Sequence, residues 1–172
     1  YKYEIPGGQY SNLLAQVKAM GSADQFEEIK HLYKDANDLL GNIVKVTPSS
    51  KVVGDMAIFM SKNGLTKDNI MTEGAEVSYP DSVVDYFLGN IGQPEGGFPA
   101  DLQKIVLKGQ KPIEGRAGAL LPPADWDAIE KHLHEAHALK KVNPRNVLSY
   151  ALYPKVYDDY VNHEEVYTDV SK

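Results

Sequence analysis

Residues 22–41, SADQFEEIKHLYKDANDLLG, decide the fold class. Phe26, Ile29, Tyr33, Ala36 and Leu40 recur at intervals of three or four, which puts them on one face of an α-helix. Ser22 and Gln25 stand at capping-box spacing and predict where that helix starts, while Gly41 predicts where it ends. Upstream, residues 11–20 put Leu13, Leu14, Val17 and Met20 on a second stripe, followed by Gly21, which tolerates positive φ. The two segments predict an antiparallel helical hairpin.

Downstream, Ile43-Val-Lys-Val46 is short and β-branched, an extended approach to the corner at Thr47-Pro48. A third helix is expected next, with Val52, Val53, Met56, Ala57, Phe59 and Met60 covering one broad face before Asn63-Gly64. Thr66 is expected to cap a short turn, and Pro80-Asp-Ser82 to open a helix through Val83, Val84, Phe87 and Leu88 that stops at Gly89. Residues 92–99, GQPEGGFP, are the most loop-like stretch, with Phe98 as their anchor. A helix over 100–108 carries Leu102, Ile105 and Val106. The glycine- and proline-rich run from Lys108 to Pro123 then predicts a boundary, giving segments 1–120 and 121–172. In the second segment Asp125 caps a helix bearing Trp126, Ile129, Leu133 and Ala136. Asn143-Pro144 begins a helix through Val147, Leu148 and Leu152 that breaks near Pro154. The fold class is therefore mainly α, with few or no strands.

The chain has 172 residues, 42% of them hydrophobic, enough for one domain or two small ones. Eighteen basic and 24 acidic side chains give a formal charge of −6, which argues against nucleic acid or anionic lipid as the main partner. There is no cysteine, which removes disulfides and thiolate metal sites. No run approaches the roughly 20 apolar residues of a membrane span. The first residue is Tyr1 rather than Met, which points to a fragment or a processed product.

Three features raise the question of chemistry. His132, His134 and His137 suggest a metal site, but Glu135 and Ala136 leave one residue too few for the His-Glu-x-x-His pattern, so no metal ligand is assigned. Gly7-Gly8 and Gly96-Gly97 match neither phosphate-binding string, and Gly7-Gly8 after Pro6 predicts a tight turn that aims Gln9 and Tyr10. Thr47-Pro-Ser-Ser-Lys51 is the third. It offers more hydroxyls than one cap requires, backbone N–H groups free at a helix start, and Lys51 where the macrodipole disfavours a cation. Two readings stay open: an anionic ligand offsetting that cost, or an over-capped helix with a solvated lysine. The tyrosines from Tyr150 to Tyr167 leave a further alternative, a non-catalytic helical module docking a partner.

The strings EIPGGQYSNL (4–13), VKVTPSSKVVGD (44–55), GNIGQPEGGF (89–98) and LSYALYPKVY (148–157) resemble the carboxyltransferase region of the pyruvate carboxylase family. The last string is more similar to that family than to the oxaloacetate decarboxylase α subunit or the transcarboxylase subunit, which remain alternatives. One departure is Tyr3 before Glu4, where the family often has His. The resemblance implies funnel helices following a TIM barrel in the parent enzyme, and beyond about residue 120 helices leading to a tetramerisation or carrier-linking domain. It implies transfer of a carboxyl group from carboxybiotin, on a separate carrier domain, to pyruvate, giving oxaloacetate. Thr47 would be the proton shuttle, Ser50 and Lys51 would receive the biotin ureido group, and Gln9 would line the funnel mouth. The divalent metal and ATP of the family would belong to parts of the parent that precede Tyr1. The expected partners are the carrier domain and the barrel of the same enzyme within a homotetramer, in the bacterial cytoplasm or the mitochondrial matrix. The segment alone would be inactive.

Overall fold

The computed structural model describes residues 3–136 and 142–164. His137 of the histidine group and Tyr167 of the tyrosine stripe lie outside the described residues. Among those described there are nine α-helices and no strand: α1 (Gly7–Ala19), α2 (Phe26–Leu39), α3 (Ser49–Lys62), α4 (Asp81–Leu88), α5 (Ala100–Leu107), α6 (Ala117–Leu120), α7 (Trp126–Ala136), α8 (Pro144–Leu152) and α9 (Pro154–Asn162). No helix among the described residues is long and apolar enough to cross a membrane. The chain divides into two compact units, Tyr1–Leu120 and Leu121–Lys172.

In the first unit α3 is the central element. Val52, Val53, Gly54, Met56, Ala57, Phe59 and Met60 are all buried, too many for a single stripe, so the helix needs neighbours on several sides. It packs against α1, α2 and α4, and α4 packs in turn on α5. The expected α1–α2 hairpin is loose: the two helices touch through the rings of Tyr10 and Phe26 at 5.2 Å, and each packs more on α3 than on the other. Each of those helices carries one narrow apolar stripe, and the broad surface of α3 receives both. Their stripes are Leu13 and Val17 on α1, and Ile29, Tyr33 and Ala36 on α2.

Local expectations at the two N-termini also change. Ser22 makes no side-chain cap, and a 3-10 turn over Ala23–Gln25 precedes α2 instead. Gly7 and Gly8 form the first turn of α1 rather than a separate turn, because Pro6 supplies the extended N-cap (φ −58°, ψ 142°) and first-turn residues need no intrahelical N–H partner. Thr66 and Asn69 bond reciprocally around a turn, with Thr66 N–H donating to Asn69 Oδ1 at 2.6 Å. α4 ends at Gly89 with φ 87°, where a Cβ would also stand 3.2 Å from Ile113. Phe98 anchors its loop on the rings of Tyr86 and Phe87 at 5.1 and 5.9 Å.

The second unit has a small core of Leu133, Val147 and Tyr157. Asp125 accepts from the Ala128 N–H at 3.0 Å, and Asn143 forms a reciprocal capping box with Asn146. Trp126, Leu148 and Leu152, expected inside, are exposed. Val147 and Tyr150 take the inward face of α8, which turns 148 and 152 outward. Pro154 does more than end α8: it occupies the first position of α9, where its missing N–H costs nothing. His132 Nε2 lies 3.3 Å from Asp158 Oδ1, and no group of three potential ligands gathers among the described residues.

Tyr33, Tyr79 and Tyr86 are buried, and burial pushes each phenol from 10.0 up to about 12. The unfolded chain ionises first as pH climbs past the ordinary value. The stabilising contribution is therefore complete below pH 10 and lost between about 10 and 12, by up to about 1.4 kcal/mol per pH unit for each tyrosine. Urea unfolding across that window is expected to reveal a steep fall that Tyr33→Phe makes shallower. A flat profile would contradict the assignment.

Candidate functional site

The segment before α3 is built by its own polar groups. The Ser49 hydroxyl folds back on the extended approach, sharing its proton between the carbonyls of Val44 (2.5 Å) and Val46 (2.8 Å) and accepting from the Val46 N–H at 3.1 Å. The Thr47–Pro48 peptide is cis. The N–H groups of Ser50, Lys51 and Val52 bond to the carbonyls of Val46 and Pro48 at 2.7, 3.0 and 3.4 Å. Of the backbone donors expected to be free at this helix start, those of residues 50–52 are therefore already engaged. No side chain caps α3. Beneath the first turn, Tyr33 sends its hydroxyl to the Ser50 carbonyl in a long 3.5 Å contact.

Thr47, Ser50 and Lys51 share a hollow of about 390 Å³ with Gln9, Asn12, Ala15 and Gln16 of α1. Gln9, Asn12 and Gln16 are three and four residues apart and so lie along one face of that helix, opposite the start of α3. All four site residues expected from the sequence thus line one cavity. Gln9 and Ser50 are each 8% exposed, whereas Thr47 and Lys51 reach the surface. The side chains of Gln9, Thr47 and Ser50 make no hydrogen bond to another described residue. A larger hollow of about 640 Å³ lies between residues 41–46 and 91–96, but the hydroxyl that Ser49 could offer it is already engaged.

Lys51 has an anionic neighbour after all, on its own helix. Its ammonium pairs with Asp55, whose side chain is 15% exposed and also accepts from Ser82 Oγ of α4 at 2.5 Å. The cost of a cation at a helix N-terminus is offset there, and Asp55 ties the start of α3 to α4. Asn12, Gln16, Gly54, Asp55 and Ser82 were not singled out from sequence. Two of them carried a signal: Asp55 stands four residues after Lys51, and Gly54 interrupts an otherwise apolar helix.

The conserved carboxylase domain family matches residues 1–172. The chain is 52% identical over 171 residues to the pyruvate carboxylase of Bacillus subtilis, covering 99% of this chain and 15% of that protein. It is 49% identical over 157 residues to the human mitochondrial pyruvate carboxylase, covering 91% of this chain and 13% of the relative. It thus spans about a seventh of the length of these relatives. Its backbone matches the carboxyl transferase domain of Rhizobium etli pyruvate carboxylase, determined with pyruvate and biocytin, at a TM-score of 0.90 and 43% identity, over 98% of this chain and 28% of that one. The chain accordingly belongs to the conserved carboxylase domain family, as a segment of the pyruvate carboxylase carboxyltransferase region.

Proposed function

We propose that residues 1–120 form one wall of a carboxyltransferase site that moves a carboxyl group from carboxybiotin to pyruvate, giving oxaloacetate. The segment 121–172, whose described residues form α7, α8 and α9, leads to the next domain of the parent enzyme. The observation that carries this reading is the cavity in which Thr47, Ser50, Lys51 and Gln9 meet, three of them with polar side chains unused by other described residues. That donor set fits a ureido group, which is neutral, flat and both donor and acceptor: two hydroxyls and a carboxamide can answer either role, and one ammonium answers the oxygen.

Biotin, brought on its carrier domain, supplies the carboxyl group and a ring nitrogen that ends the cycle protonated. Ser50 Oγ and the Lys51 ammonium would hold the ureido oxygen, and the buried Ser50 hydroxyl is worth more there as a donor to developing negative charge than it would be in water. Thr47 Oγ1 accepts the proton leaving the pyruvate methyl group while passing its own proton toward the ring nitrogen, so no strong base is ever exposed. The divalent metal and ATP that the family uses fall to other parts of the parent, and the isolated segment is expected to be inactive. The relatives include bacterial and mitochondrial enzymes, and the reading holds for either compartment.

Lys51 tests this reading. In the full-length enzyme, Lys51→Met is expected to raise the KM for free biotin, used as carboxyl acceptor from oxaloacetate, by about 10- to 100-fold, the loss of one hydrogen bond from a charged donor. Asp55 keeps its bond from Ser82 in that variant, which limits the damage to folding. An unchanged KM would remove Lys51 from the pocket.

A further inference from the structure

We propose that Gly54 is the positioning residue for Gln9, a role that rests on the assignment of Gln9, Ser50 and Lys51 to the biotin pocket. A Cβ built on Gly54 would stand 2.4 Å from Gln9 Nε2, 3.5 Å from its Cδ and 3.7 Å from Leu13 Cδ1. Non-bonded carbon and nitrogen atoms do not approach to 2.4 Å. The Gln9 carboxamide therefore lies against bare α3 backbone, in a space that any other residue at 54 would fill.

Three observations give this contact a consequence. Gln9 is 8% exposed, so its side chain has little freedom to retreat into water. Its carboxamide makes no hydrogen bond to another described residue, so shape rather than bonding fixes where it lies. Its backbone is pinned one turn before Leu13, whose side chain is fully buried between α1 and α3. A methyl group at 54 forces a shift, and a swing of the carboxamide away from α3 changes which atoms it offers to the cavity shared with Thr47, Ser50 and Lys51. Glycine in the interior of a 14-residue helix is unfavourable compared with alanine, so local helix propensity does not explain its presence. Close approach to Gln9 does.

The test is a double-substitution cycle in the full-length enzyme with free biotin as the probe, taking the carboxyl group of oxaloacetate and leaving pyruvate. Gly54→Ala and Gln9→Ala are each expected to raise the KM for biotin about tenfold, the loss of one hydrogen bond, with kcat changed less than about twofold. The double variant is expected to match Gln9→Ala alone, because the methyl group then has nothing to displace. If Gly54→Ala lowers thermal stability, adding Gln9→Ala is expected to restore it. Multiplied effects in the double variant, or a Gly54→Ala enzyme with unaltered KM, would overturn the proposal. Lys51→Met in the same assay separates the two levels. An altered KM there, with Gly54→Ala unaltered, sinks the role of Gly54 alone; no change in Lys51→Met sinks the pocket on which it rests.

Discussion

Thr47→Ala in the full-length enzyme is expected to lower the kcat of carboxyl transfer from carboxybiotin to pyruvate by about 10²- to 10⁴-fold, the range for removing a positioned proton-transfer group. The size follows from what the hydroxyl does in the proposed cycle. It is the group at the mouth of the cavity that can accept one proton and release another at a single atom. Ser49 cannot replace it, because its hydroxyl is committed to the carbonyls of Val44 and Val46. Ser50 is nearer to a substitute, but it is 8% exposed and held in the first turn of α3. The KM for biotin is expected to change little, since Ser50, Lys51 and Gln9 remain. Thr47→Ser keeps the oxygen and is expected to retain most of the rate. Oxaloacetate formation measures all three enzymes. A Thr47→Ala enzyme within about twofold of the parent would remove the shuttle role.

The helices were legible because each carries the spacing that its burial requires. Ile29, Tyr33 and Ala36 are read as a stripe and are buried as a stripe. What the spacing could not tell is which stripe meets which. The α1 and α2 stripes look complementary in isolation, and only the excess of buried positions on α3 reveals the better partner for both. Caps divide along the same line. Asn143 bonds within three residues of its own position and was readable, whereas the cap expected of Ser22 gave way to a 3-10 turn. On α8, Leu148 and Leu152 counted as core because leucine is apolar, yet the inward face was already taken by Val147 and Tyr150.

The site divides in a similar way. The unusual run from Thr47 to Lys51 was visible as a helix start with excess hydroxyls and a misplaced cation. Its physical account changed with the structure: the N–H groups of residues 50–52 are bonded to carbonyls, and Lys51 finds its counter-charge in Asp55. Those facts shift the proposed recognition from the helix dipole to the unused side chains. Of the far wall only Gln9 was named, through the family resemblance, and Asn12 and Gln16 were out of reach. Gln9, Asn12 and Gln16 face Thr47 across more than 30 residues of chain, and only tertiary packing brings them together.

That packing rests on very little, which makes Leu13→Ala the second large effect. The buried side chains of α1 are Gln9, Leu13 and Val17, one stripe at intervals of four, and just two of them are apolar. Leu13 is fully buried, and it lies close to the bare backbone of Gly54. Truncating it removes the larger of the two fully buried apolar side chains of α1 and leaves a cavity that Val17 cannot fill without moving the helix. The expected cost is about 2–5 kcal/mol, read as a lower urea midpoint by far-ultraviolet circular dichroism with the slope unchanged. Leu14, only half buried, serves as the comparison, and its alanine variant is expected to cost clearly less. Leu13→Met nearly conserves volume and is expected to cost under about 1.5 kcal/mol. Because Gln9 sits one turn from Leu13 on the same face, Leu13→Ala should also raise the KM for free biotin under conditions where the enzyme is still folded, while Leu13→Met should not. A loss of stability with biotin binding intact would mean that the Gln9 wall is held by something other than the α1 stripe, and a cost below about 1 kcal/mol would mean that α1 is not anchored through Leu13 at all.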